Sequence, residues 1–315
     1  MNISSSSHRG VQFEDRCQIP KQKLEMFDNL FGELLPIASI PDMTHLQRVI
    51  FVADGAMEST VNETLREQKK DAGTYVMGSH VPEATAVPLE IDNNLDCRII
   101  INANQVHLLD PKRYHPFQLV SSLLEELFHV RIYSTAWKHR GYIYPPLSLP
   151  QQERDIFKLC TQLHDEHMVA RWKTVVMGSV PLVDVEGGLS IAYPMYGNLV
   201  APMLENASIS LKKTIRSGLG SFEKAQLLLI VYRGIFEPLA RNAGFQSATP
   251  KEELPVENNP GKSAFFQEHV VSFWEQIDKQ LERSFKSSLV DMDDAVNEIV
   301  KVISTFLDYV EDLYC

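Results

Sequence analysis

The sequence predicts an α+β protein that is mainly helical and contains one small sheet. Three short apolar runs typical of strands precede residue 110, at residues 48–55, 85–91 and 97–106. Beyond them, apolar residues recur at helical spacing, most regularly over the last 50 residues. Because 315 residues correspond to two domains of about 150 residues each, or to one large domain, we expect an α/β domain followed by a C-terminal helical domain.

The first ordered element is expected to follow Pro20. Residues 1–19 are rich in serine and other polar residues, which indicates a disordered N-terminal segment. The next segment places its apolar side chains at helical spacing and predicts the first helix. These side chains are Leu24, Phe27, Leu30, Phe31 and Leu34.

The later elements follow from breaks in the apolar pattern. Asn93-Asn94 predicts a turn between the second and third strands. The segment 179–198 contains Gly and Pro without regular periodicity and predicts a loop or short hairpin. A similar segment at 244–262 predicts an exposed connection. We expect an α/β domain at residues 20–200 and a helical domain at 201–315. Helices are predicted over residues 116–138, 151–176, 199–216 and 221–243, and again in the last 50 residues.

The charge and cysteine content exclude several classes of protein. With 30 basic and 41 acidic residues, the net charge is −11, which disfavours a nucleic-acid partner. No stretch approaches the roughly 18 uninterrupted apolar residues of a membrane span, so we expect no membrane partner. The start of the chain lacks the apolar core of a signal peptide, and four cysteines at 17, 97, 160 and 315 match no zinc or redox spacing. We therefore expect a cytoplasmic protein with free thiols.

The helix predicted over 116–138 carries an unusual set of polar residues. It is apolar around most of its circumference, which predicts a largely buried helix. At about 100° per residue, Ser122, Glu125 and His129 fall on one stripe, and Glu126 lies about 60° beyond His129. No Lys or Arg shares this stripe. Because burying two carboxylates without a cation is costly, they must be protonated, reach solvent or bind a metal.

The run EELFH at residues 125–129 has the spacing of a zinc-binding helix. Side chains at positions i and i+4 lie on one face and can bind one ion, and the residue after the first ligand can reach a water molecule on that ion. The run resembles the HExxH signature of zincin metallopeptidases. Glu126 and His129 match its glutamate and its second histidine, whereas Glu125 replaces its first histidine.

The resemblance extends to the order of elements over about residues 45–175. In a zincin-like domain, a sheet whose edge strand binds extended peptide precedes the signature helix, and a second helix donates the third ligand, often a glutamate. The resemblance therefore implies Glu166, in the segment LHDEHMVARW, as the third ligand, with His167 as the alternate. We expect Asp165 to point away from the apolar face of this helix and His164 to lie at the surface or the edge of the core.

The same resemblance implies an activity. Glu125, His129 and Glu166 would bind Zn²⁺, which polarises a water molecule, and Glu126 would accept a proton from that water as it attacks a peptide carbonyl. The expected protein is a zinc-dependent, peptidase-like hydrolase that acts on a peptide or protein. With its first histidine replaced, such a domain could instead bind another ion or bind peptide without cleaving it.

Two other functions fit parts of the sequence. Glu126 and His129 also form the ExxH element of di-iron carboxylate bundles, but such bundles need two of these elements and contain no strands. A non-catalytic interaction scaffold would explain the long apolar helices without any chemistry. Metal content distinguishes the scaffold from both metalloproteins.

Overall fold

The structure is a computed structural model, and its chain divides by internal contacts into two compact units, Met1–Leu147 and Ser148–Cys315. The fold is α+β and mainly helical, which confirms the predicted class. The structure describes residues 4–8, 10–53, 55–68, 83–107, 109, 117–144, 148–179, 200–249, 259–286 and 292–314.

The first unit is built on a five-stranded mixed sheet with the strand order β1-β2-β3-β5-β4. Strands β2, β3 and β5 are parallel to one another, whereas β1 and β4 run antiparallel to their neighbours. Strand β4 therefore forms one edge of the sheet. The strands are β1 Ser4–His8, β2 Val11–Asp15, β3 Leu46–Val52, β4 Ala84–Ile91 and β5 Asn94–Asn102.

The N-terminal segment differs from the prediction of disorder for residues 1–19. Residues 4–15 form the β1–β2 hairpin, and β2 joins the sheet next to β3. Val11 and Phe13 are buried, and the Phe13 ring packs edge-on against Phe27, Phe31 and Phe51. The hairpin was not predicted, because β1 is rich in serine and β2 buries only a few apolar side chains.

Helices cover both faces of this sheet. They are α1 Lys21–Ala38, α2 Met57–Leu65, α3 Ala103–His107 and α4 Phe117–Arg140. Met57 and Val61 of α2 pack on Ile50 and Ile100, on one face. Helices α1 and α4 pack together, and α4 also contacts β4 and β5. The predicted third strand is shorter than expected, since residues 103–107 form α3 rather than continuing β5.

The second unit is helical in the residues that the structure describes. Helix α5 contacts three later helices, α7, α8 and α9. The predicted helices over 151–176, 199–216 and 221–243 and in the last 50 residues are confirmed. The helices are α5 Gln151–Ser179, α6 Val200–Ile215, α7 Ser221–Ala248, α8 Val271–Lys286 and α9 Met292–Tyr314, with a π-helical turn, Phe266–Val270, directly before α8.

Two predictions about connections and boundaries need correction. The irregular connection expected at 244–262 begins later, because α7 continues to Ala248. Gly244 lets α7 approach α5 closely: a Cβ atom there would lie 2.2 Å from the backbone oxygen of His167. Helix α5, expected in a domain spanning residues 20–200, belongs to the second unit. The loop or hairpin predicted at 179–198 lies almost entirely outside the described residues.

No helix in the described ranges combines the length and the apolar character that crossing a bilayer requires.

Candidate metal centre

Helix α4 holds the first part of the candidate site. As predicted, most of its circumference is buried. Glu125 and Glu126 are partly buried, and His129 is 9% exposed. The polar stripe is therefore largely withdrawn from water. The buried apolar residues of α4 are Leu119, Leu123, Leu124, Leu127, Phe128, Val130, Ile132 and Ala136.

Glu125 and His129 form a close pair on this helix. They stand one turn apart, and a carboxylate oxygen of Glu125 lies within 4.8 Å of a ring nitrogen of His129. The His129 ring also stacks on Tyr133, one turn further on, with ring centroids 6.1 Å apart. The stacking restricts the orientation of the imidazole. Both side chains of the predicted i, i+4 ligand pair therefore present their ligand atoms to the same region.

Glu126 faces the edge of the sheet. Its Oε2 atom accepts a hydrogen bond from the backbone N–H of Ala86 on β4, at 2.5 Å. A second hydrogen bond lies nearby, since the Ser122 hydroxyl donates to Glu83, which directly precedes β4, at 2.9 Å. The contact between α4 and β4 thus fixes the Glu126 carboxylate beside the outer edge of β4.

The far end of α4 is held by a buried polar contact. The Ser134 hydroxyl lies 2.8 Å from Nδ1 of His45, which directly precedes β3. Burial lowers the pKa of His45, and the Asp42 carboxylate acts against this shift. Because Ser134 is fully buried, the contact also satisfies a hydroxyl group that has no access to water.

Helix α5 of the second unit contains four consecutive buried polar residues, His164, Asp165, Glu166 and His167. Burial on all sides is unusual for charged residues, and each such group needs a partner. Asp165, which we expected to point away from the apolar face of this helix, is 4% exposed and therefore buried.

Glu166 has a cation inside its own unit. Its Oε2 atom lies 2.8 Å from Nη2 of Arg241 on α7. Arg241 also approaches Glu237, one turn earlier on α7, at 3.4 Å. Sequence reasoning missed Arg241, because its separation of 75 residues from Glu166 leaves no local pattern to detect.

The two histidines of this run point to α8. His164 Nε2 lies 2.8 Å from the Ser284 hydroxyl, and the ring is fully buried, so the expected surface or core-edge position is wrong. His167 Nε2 lies 3.6 Å from Glu282, and its pKa is lowered by burial. His167 and Arg171, whose guanidinium is 2.9 Å away, lower the pKa of Glu282 to about 2. This arrangement directs His167 toward α8 and favours Glu166 over His167 as a ligand candidate.

Comparisons with known proteins return no match: no family model fits the chain, and none of the curated proteins or solved structures compared with it is similar.

Proposed function

We propose that the protein is a zinc-dependent, peptidase-like hydrolase in which Glu125 and His129 bind the metal and Glu126 is the general base. The observation that carries the proposal is the Glu125–His129 pair, whose ligand atoms lie within 4.8 Å of each other on a largely buried helix. Two groups bound to one Zn²⁺ ion at about 2 Å each stand roughly 3–4 Å apart. A small rotation of either side chain reaches that separation.

The set of ligand atoms suits zinc. Imidazole nitrogen and carboxylate oxygen are both ordinary zinc ligands, and three protein ligands leave a fourth position for water. A divalent ion would also offset the negative charge of Glu125, which is partly buried. Bound zinc lowers the pKa of a coordinated water molecule to about 7.

We infer a role in proton transfer for Glu126. Its carboxylate accepts a hydrogen bond from the backbone N–H of Ala86 on the edge strand β4. As the general base, Glu126 would accept a proton from the attacking water and pass it to the amine that leaves.

The zincin resemblance also implies Glu166 as the third ligand. Within its own unit, the Arg241 guanidinium lies 2.8 Å from one oxygen of this carboxylate and favours its ionised form. The ionised form is the one that binds a metal.

The test compares the rate of peptide hydrolysis by the zinc-loaded chain with the rate of the zinc-loaded Glu126→Gln variant. The glutamine oxygen can still accept the Ala86 N–H, so the fold and the bound zinc should be retained, while the rate falls at least about 100-fold. Glu153→Gln, an exposed residue on α5, is the matched control and should leave the rate unchanged. Equal rates for Glu126→Gln and the unmodified chain would refute the assignment.

A non-catalytic peptide-binding scaffold is the second candidate, and the Glu126–Ala86 hydrogen bond favours it. In that case Glu126 serves to hold β4 against α4. The scaffold predicts that zinc-loaded protein cleaves nothing and that Glu126→Ala, which removes the acceptor for the Ala86 N–H, lowers the stability.

We also propose that the protein functions in a reducing compartment such as the cytoplasm. Cys17, Cys97 and Cys160 are free thiols, and burial raises the pKa of Cys97 and Cys160. Thiols protected in this way are compatible with a chain that uses no disulfide for stability.

A further inference from the structure

An aromatic side chain lies beside the imidazole of the candidate metal centre. Tyr133 stands one helical turn after His129 on α4, and the planes of the two rings differ by only 21°, with centroids 6.1 Å apart. Aromatic rings at this separation attract each other in an offset arrangement. Tyr133 is therefore placed to restrict the rotation of the ring that would bind the metal.

The direction of side chains in an α-helix determines how Glu125, His129 and Tyr133 meet. Every Cα–Cβ bond tilts toward the amino terminus of the helix, so a side chain leans over the residue one turn before it. Tyr133 therefore approaches His129 from the carboxyl-terminal side of α4. Glu125 lies on the amino-terminal side, with a carboxylate oxygen within 4.8 Å of a ring nitrogen. The imidazole is thus enclosed between the carboxylate of the first ligand and the tyrosine ring.

The backbone around Tyr133 is held in the core of the first unit. Its neighbours in sequence, Ile132 and Ser134, are 1% and 0% exposed. The Ser134 hydroxyl also lies 2.8 Å from Nδ1 of His45, which directly precedes β3. Rotation of α4 at this level would break these contacts, so the fold gives the tyrosine ring a defined position next to His129.

A restricted imidazole binds a metal more tightly than a freely rotating one. Ordering a mobile side chain during binding opposes the binding, because conformational freedom is lost. A ring that is already restricted before the metal arrives avoids part of this loss. The stack of Tyr133 on His129 therefore acts on the metal-free protein, in which it limits the orientations that the ligand can adopt.

We propose that Tyr133 is a positioning residue that raises the affinity of the site for a divalent metal ion by orienting His129. The aromatic ring acts, and not the hydroxyl group, because the contact is a stack of ring planes. Tyr133 supplies no ligand atom and is not a catalytic residue. This inference rests on the proposed function, since metal binding by Glu125 and His129 is part of it.

The experiment measures the Kd of Zn²⁺ for the metal-free, full-length chain by competition with a chromogenic chelator. Tyr133→Leu keeps an apolar side chain but removes the flat ring, and we expect its Kd to rise about 3- to 10-fold. Tyr133→Phe keeps the ring and loses only the hydroxyl group, so it should bind zinc as tightly as the unmodified chain. A titration with Co²⁺ should give the same order of affinities.

A matched control separates positioning from a general loss of stability. Trp137→Leu removes another partly buried aromatic ring of α4, one turn beyond Tyr133, and should leave the Kd of zinc unchanged. Thermal unfolding of the metal-free variants shows whether each one folds. Should Tyr133→Leu not fold, Tyr133→Met replaces it, because the unbranched methionine side chain fills irregular space without a ring. We expect the same loss of affinity in Tyr133→Met.

The outcomes distinguish this inference from the proposed function. Unchanged zinc affinity in a folded Tyr133→Leu protein would overturn the positioning role while the metal site stands. Equal losses of affinity in Tyr133→Phe and Tyr133→Leu, or in Trp137→Leu and Tyr133→Leu, would also overturn it, because the ring next to His129 would then not be the cause. An unmodified chain that binds no zinc would overturn the proposed function and, with it, the role of Tyr133.

Discussion

Arg241 and Glu166 form a salt bridge within the second unit, with Nη2 and Oε2 2.8 Å apart and the glutamate side chain 8% exposed. The pair gives a buried carboxylate on α5 a cation from α7. Removal of the arginine would take this cation away from a carboxylate that is largely shielded from water.

The first prediction follows from this pair. Arg241→Leu should lower the free energy of unfolding by about 2 kcal/mol, because breaking one side of a buried ion pair leaves a charge uncompensated. The measurement is urea unfolding in the presence of a metal chelator. Arg233→Leu, also on α7 but half exposed, is the control and should cost less than about 1 kcal/mol. Equal losses in the two variants would show that the Glu166 carboxylate does not depend on Arg241.

The second prediction concerns two glycines of α7. Gly244→Ala should destabilise the protein by about 1–3 kcal/mol, since the new Cβ would meet the His167 carbonyl oxygen at 2.2 Å. Gly234→Ala should instead be neutral or stabilise by up to about 1 kcal/mol, because nothing lies within 4 Å and alanine favours the helix. Thermal unfolding of both variants checks this. Stabilisation by Gly244→Ala would contradict the close approach of α7 to α5.

The third prediction concerns the buried contact between His164 and Ser284. Ser284→Ala should lower the free energy of unfolding by about 1–3 kcal/mol, because it removes the hydroxyl 2.8 Å from a fully buried ring nitrogen. Ser272→Ala lies on the same helix in an exposed position and should change little. A loss no larger than that of Ser272→Ala would rule out an energetic role for this contact.

The fourth prediction is a pH dependence that arises from His45. Its folded pKa is below the unfolded value of about 6.5, so the unfolded chain binds a proton first as the pH falls. Stability should therefore be unaffected above pH 7 and decrease as the pH falls below about 6.5. His45→Gln keeps a hydrogen-bonding group near Ser134 and should flatten the curve of unfolding free energy between pH 7 and 5. A curve of unchanged slope would exclude His45 as its source.

Strong apolar periodicity made much of the fold predictable. Apolar residues recur at helical spacing in α6, α7 and α9. Strand β3 is a short apolar run typical of a strand. The β1–β2 hairpin was missed, because a short strand of serines acquires its strand conformation from pairing and has little pattern of its own. The extension of α7 through Gly244 was missed for a similar reason, since glycine there serves packing against α5.

The candidate site was predictable only where it is local in sequence. Glu125 and His129 are one helical turn apart, so spacing alone placed their side chains together. Other contacts near the site join residues that are far apart in the chain. Glu126, for example, accepts a hydrogen bond from Ala86, which is 40 residues away. Long-range contacts of this kind depend on how the helices pack, which no local pattern records.

The central claim is that His129 helps to bind a metal, and zinc content measures it directly. Protein purified without added metal, with zinc determined by mass spectrometry, should contain close to one equivalent in the unmodified chain and in His139→Ala, an exposed position on α4. His129→Ala should lose most of its zinc while staying folded. Full stoichiometric zinc in His129→Ala, or none in the unmodified chain, would contradict the proposed site.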